Sequence, residues 1–183
     1  MLGKVLALAA TSLIALLIYL YFYLGFFLPV TIVIEDRGPL HMIYKAHSGA
    51  YHHIGPVIEA VEKWSHEQRL RCTLTFGEYL DDPAAIDQDR LRSRGGCLYN
   101  TLPNVQLPED FAAEVRPKKS YVVAQFNGSP SIGPFKVYPK VEEFLQTRRL
   151  KQNGPVIETY FVHGEKVTTE FLFPIDSPAS TSH

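Results

Sequence analysis

A single carboxylate interrupts the otherwise uncharged run PVIETYFV at residues 155–162. Read as a strand, the run places Glu158 on one face with Val156, Tyr160 and Val162. An acid among such neighbours either reaches a cavity or carries a raised pKa. An aromatic-lined cavity holding one acid suits cationic or amphipathic ligands. Two further carboxylates are candidates for the same site. Glu78 stands 80 positions before Glu158, an offset that would set a second acid across from the first, although its neighbouring Asp-Asp-Pro turn also fits an exposed position. The face of Glu170 depends on the preceding hairpin: a three-residue turn at 163–165 pairs it with Glu158, and a two-residue turn sends it to the opposite face. The aromatics that could line such a cavity are Tyr44, Tyr51, Tyr79, Tyr121 and Tyr160. Trp64 and Phe144 read as helix core.

Other chemistry is poorly represented. His47, His52 and His53 lack a partnered carboxylate pattern, so no metal site is expected. No P-loop, dinucleotide fingerprint or Ser-His-Asp order occurs, and no cofactor is expected. Cys72 and Cys97 lack CxxC spacing; their strands could be neighbours, and in a cytosolic domain they would remain thiols. Asn127-Gly128-Ser129 matches a glycosylation acceptor, but Pro130 follows.

The elements that must position Glu158 follow from patterning. The 183 residues carry 18 basic and 19 acidic groups, a near-balance without the basic stripe of a nucleic-acid binder, so no nucleic-acid partner is expected. Only Lys4 among the charged residues precedes Glu35. The intervening run of about 26 apolar residues is long enough to cross a ~30 Å hydrocarbon core as a helix. It continues through bulky aromatics from Tyr19 to Phe27, where signal cleavage would need small residues, so an uncleaved single-pass anchor over residues 1–30 is expected. Flanking charges lean weakly towards a cytosolic domain. The remainder contains a repeat: VEKWSHEQRL at 61–70 realigns with VEEFLQTRRL at 141–150, and each is preceded by an Ile-Gly-Pro helix start. Each copy reads as strand, strand, helix, strand, strand. The spacing predicts helices near 53–69 and 134–150 on one side of a mostly antiparallel sheet, in an α+β domain of pseudo-twofold symmetry over residues 31–175. Residues 81–94 and 101–109 read as surface excursions, and 176–183 as a short disordered tail.

These residues also carry a resemblance. YKAHSGAY at 44–51, GEYLDDP at 77–83, the two Ile-Gly-Pro starts, GPVIETY at 154–160 and EFLFPI at 170–175 together resemble the GyrI-like small-molecule-binding superfamily. With an anchor directly before the domain, the chain further resembles the testis-expressed ER-phagy receptor family, without that family's long disordered tail. The resemblance implies a small-molecule or protein partner, a strand Glu that contacts bound cations at Glu158, and an endoplasmic reticulum membrane if the source is eukaryotic. The expected function is a membrane-tethered module capturing a small, cationic or amphipathic molecule or a protein. The alternatives are a hydrolase of strained electrophiles that uses Glu158 as general base, and a membrane adaptor with a vestigial pocket. The lack of a complete catalytic constellation favours a binder over an enzyme.

Overall fold

The computed structural model describes residues 2–164 and 166–176. An apolar helix, α1 (Leu2–Tyr23), has no buried residue. The remaining elements are β1 (Val30–Arg37), β2 (Leu40–Ser48), α2 (Gly55–Glu67), β3 (Leu74–Tyr79), β4 (Arg92–Tyr99), β5 (Phe111–Arg116), β6 (Lys119–Phe126), α3 (Gly133–Arg148), β7 (Val156–His163) and β8 (Lys166–Pro174). Both domain helices open on Gly-Pro, where proline's fixed φ and missing N–H cost nothing. The expected tail from Ser177 onward lies outside the described residues. The excursion expected over residues 81–94 is shorter than anticipated, because Arg92 to Arg94 already belong to β4.

All eight strands form one antiparallel sheet in the order β1-β6-β8-β7-β3-β4-β2-β5. That order maps onto itself when the first four strands are exchanged with the last four. Each half gives its first strand to the other: β1 pairs with β6, and β5 pairs with β2. Sequence patterning did not anticipate this exchange, since it identifies strands and not their partners.

Residues opposite one another across an antiparallel pair share a face, so the registers separate the two sides of the sheet. On one face, Val122, Ala124, Phe126, Phe171 and Phe173 pack against Val137 and Val141 of α3. Ile43 and Cys97 of that same face pack against Val61 of α2. Both helices therefore cover one side, and the central strands β3 and β7 run between them. The other face buries Met42, Phe76, Leu98, Tyr121, Val123, Ile157 and Leu172 without a helix. It can do so because β1 joins β2, and β5 joins β6, through two residues each. Two residues reach only about 7 Å, so the outer strands are drawn towards each other and this face becomes the inside of a curve. The crossing is tight: a Cβ on Gly38, whose φ is +109°, would lie 3.0 Å from the Lys118 Cα.

Cys72 and Cys97 form a disulfide with their Cα atoms 5.4 Å apart. This corrects the expectation of free thiols, which rested on compartment alone. The chain leaving α2 returns alongside β4 and brings the two side chains together.

An aromatic box around Glu158 as the candidate functional site

Glu158 lies at the middle of the sheet, opposite Gly77 on one side and Phe171 on the other. It faces the helices and is only 5% exposed. The Tyr160 hydroxyl donates to its Oε2 at 3.1 Å and the Tyr138 hydroxyl to its Oε1 at 3.4 Å. A further hydroxyl, that of Tyr79, lies 3.2 Å from that of Tyr160. Each phenol has one hydrogen, and Tyr160 gives its own to Glu158, so Tyr79 is the donor to Tyr160. Tyr51 packs edge-on against Tyr79 at 4.8 Å, and Tyr138 edge-on against Phe173 at 5.2 Å. Among the described residues no lysine or arginine bridges Glu158.

Burial pushes Glu158 up to about 7, against the lowering influence of the Tyr160 and Tyr138 hydrogen bonds. Tyr79, Tyr138 and Tyr160 are all raised, first by burial and then by the Glu158 charge. The linkage sign follows. Glu158 titrates higher folded than unfolded, so its contribution to stability is fully present below its ordinary pKa and is lost as pH rises to about 7. Above that pH the ionised carboxylate costs the fold roughly 3 kcal/mol. A site held at such a cost is a functional candidate. Tyr160→Phe removes the nearest donor to the carboxylate, so the Glu158 pKa should rise further above 7. Infrared titration of the carboxyl band measures this, and an unchanged midpoint would show that the hydroxyl does not stabilise the charge.

The tyrosines differ in how they are held. The Tyr51 hydroxyl donates to the Asp81 carbonyl at 2.7 Å and accepts the Asp81 N–H at 2.9 Å, while Arg92 clamps the Asp81 carboxylate. Tyr51 is thus a fixed wall. Among the described residues, the hydroxyls of Tyr79, Tyr138 and Tyr160 bond only to one another and to Glu158. The small residue opposite Glu158 is part of the design: a Cβ on Gly77 would lie 3.1 Å from the Tyr79 hydroxyl and 3.3 Å from Ile54.

Of the residues singled out in the sequence, Glu158, Tyr51, Tyr79 and Tyr160 come together. The other four do not join them. Glu78 pairs with Ile157 and Arg94 and is buried on the concave face, which corrects both readings of it, a second acid beside Glu158 and an exposed residue at the turn. Tyr44 and Tyr121 lie on that concave face as well. Glu170 pairs with Thr159, because the hairpin turns through two residues, and it meets Arg37 at 3.4 Å. On the concave side a cavity of about 380 Å³ is lined by Glu78, Arg94, Glu114, Arg116 and Lys119 among others. There Glu78 is fully buried and receives Arg116 at 2.6 Å, while Arg94 and Arg116 each hold Glu114 at 3.1 Å. These charges satisfy one another, unlike Glu158, so the cavity is the weaker candidate despite its volume. Sequence reasoning missed Tyr138 as a partner of Glu158. A polar hydroxyl within the apolar stripe Val137–Val141 was the available signal.

The comparisons with known proteins identify the domain. Residues 31–176 match the model of the GyrI-like small molecule binding domain. The chain belongs to that family. Solved structures carry the same fold at low identity. The EcmrR–DNA complex is similar at TM-score 0.64 and 13% identity, over 96% of this chain and 68% of that one. The EcmrR C-terminal domain is similar at 0.63 and 10%, over 80% and 98%. SAV2435 bound to tetraphenylphosphonium is similar at 0.54 and 12%, over 80% and 94%. No curated protein is matched by sequence.

Proposed function

We propose that this GyrI-like domain, tethered to a membrane by α1, binds lipophilic cations in the Tyr51–Tyr79–Tyr138–Tyr160 box with Glu158 as counter-ion. The observation that carries the proposal is a buried carboxylate with aromatic walls and no basic partner among the described residues. In such a setting a cation regains the charge pairing that burial withholds, and the ring faces add cation–π attraction. The complex of SAV2435 with tetraphenylphosphonium supports this ligand class by likeness of fold. The expectation of no nucleic-acid partner draws on the near-balance of charge without a basic stripe.

A second reading, hydrolysis of an electrophilic small molecule, draws on the Glu158 pKa near 7, which suits a general base at neutral pH. The adaptor reading draws on no feature of the site. The likeness to ER-phagy receptors rests on the quoted motifs and the anchor. The Cys72–Cys97 bridge weighs against the cytosolic placement favoured by the flanking charges, because cytosolic reductants keep such pairs as thiols.

The test is a titration of the full chain with tetraphenylphosphonium at pH 8. Glu158→Gln keeps the shape and removes the charge, and it should weaken binding by about 1 to 3 kcal/mol, the Coulomb attraction of unit charges roughly 6 to 12 Å apart at an effective dielectric of about 20. Equal affinity in the two proteins would remove Glu158 from the site. Turnover of an electrophile that is lost only in the variant would favour the hydrolase.

A further inference from the structure

The link between α1 and β1 is not a free tether. Gly25 turns the chain with φ +79°, and Leu24 and Leu28 pack against the core beneath α3. The Leu24 carbonyl accepts the Ser129 N–H at 3.0 Å, and the Lys136 ammonium donates to the carbonyls of Phe26 and Leu28. The end of α1, the loop before α3 and the first turn of α3 therefore form one unit. Large apolar side chains surround it in the open: Phe135 is 79% exposed, Phe27 53% and Phe26 41%.

Two lines of residues lead from the Glu158 box to this edge. On α3, Tyr138 and Phe135 are three positions apart and neighbours on the helix surface. Along β7, Glu158, Tyr160 and Val162 alternate onto one face, and Val162 is 67% exposed. The registers put Tyr160 in a row with Thr169, Phe126 and Val30. Val162 lies one step further out, level with the chain that arrives from α1. Floor and wall of the box thus both run out to exposed apolar residues where α1 meets the domain, roughly 13 Å from Glu158 at strand rise.

We infer that a bilayer surface covers this edge, with Phe135, Val162, Phe26 and Phe27 seated in its interfacial layer, and that the Glu158 box opens sideways onto it. Its ligand is then a cationic amphiphile that arrives from the membrane rather than from bulk water. The inference rests on the membrane and cation readings above. Continuity with α1 commits it to lipid: Phe26 and Phe27 follow an apolar helix of 22 residues within four positions, and aromatic side chains favour the headgroup layer.

The test uses the full chain in phosphatidylcholine vesicles with brominated acyl chains, in a Trp64→Phe background that removes the chain's one tryptophan. Single tryptophans are introduced as Ile14→Trp, Phe135→Trp, Val162→Trp and Val115→Trp. Val115 is 50% exposed and lies at the far end of the sheet. Emission from Ile14→Trp, Phe135→Trp and Val162→Trp should fall at least twofold relative to unbrominated lipid, while Val115→Trp is unaffected. Quenching of Ile14→Trp alone would overturn the docked edge and leave the anchor standing. No quenching at Ile14→Trp would overturn the anchor and the inference with it. Stopped-flow association of methyl- to hexyltriphenylphosphonium, at fixed free aqueous concentration, should quicken in step with lipid partitioning. A rate independent of chain length would overturn membrane delivery, whereas loss of all cation binding would instead overturn the proposed function.

Discussion

Arg116→Met should lower the melting temperature of the full chain by roughly 6 to 12 °C, corresponding to about 3 kcal/mol for a domain of this size. Arg116 forms the 2.6 Å bridge to Glu78, whose side chain is fully buried on the concave face. Burial works against the arginine's own charge, yet the hydrogen bonds it donates to Glu78 and Glu114, and their nearby negative charges, hold its pKa above the ordinary value. Methionine keeps much of the volume and leaves Glu78 with Arg94 alone, at 3.5 Å. The loss is therefore chiefly that of an under-compensated buried charge. The double variant Glu78→Gln/Arg116→Met should recover most of the melting temperature, because both charges are then gone. A double variant as unstable as the single one would show that Arg116 acts through packing.

Affinity for a lipophilic cation should rise by about 5- to 50-fold between pH 5 and pH 8 and level off above the Glu158 pKa of about 7. The cation prefers ionised Glu158, so below that pKa each binding event must first expel a proton. The span is limited by the Coulomb attraction between Glu158 and the cation, about 1 to 3 kcal/mol. In Glu158→Gln the pH dependence should vanish, and the empty protein should melt higher than wild type above pH 7, where the ionised acid is most costly. Titrations with tetraphenylphosphonium and melting curves across this range check both. A slope that persists in the variant would assign the titration to another group.

The repeat made the helices legible, because an apolar stripe at 3.6-residue spacing survives in VEKWSHEQRL and VEEFLQTRRL alike. It misled at the site because parity matters in strands. The helices repeat at an offset of 80, but across the β3–β7 pair the tyrosines that meet are Tyr79 and Tyr160, 81 apart. That one-residue difference sends Glu78 to the face opposite Glu158. Gly77, not Glu78, stands across from Glu158, so the first half provides space where the second provides the acid. Tyr44 and Tyr121 went astray for another reason: Met42 and Ile43 in one strand, like Tyr121 and Val122 in the other, are buried on opposite faces, so alternation gives no direction. The exchange of β1 and β5, like the meeting of Cys72 and Cys97, depends on long-range pairing that no local pattern records. Glu158 was legible because an acid in the run PVIETYFV conflicts with everything around it, and such conflicts mark sites held for function.

Proton release tests the account most directly. Calorimetric titration of the full chain with tetraphenylphosphonium at pH 6, in two buffers of different ionisation enthalpy, measures the protons exchanged on binding. Glu158 is mostly protonated at that pH in the empty box, and a contact of about 1 to 3 kcal/mol lowers its pKa by about 1 to 2 units, so wild type should release about 0.3 to 0.8 proton and Glu158→Gln none. Tight binding with no proton release in wild type, or the same release in both proteins, would contradict Glu158 as the counter-ion.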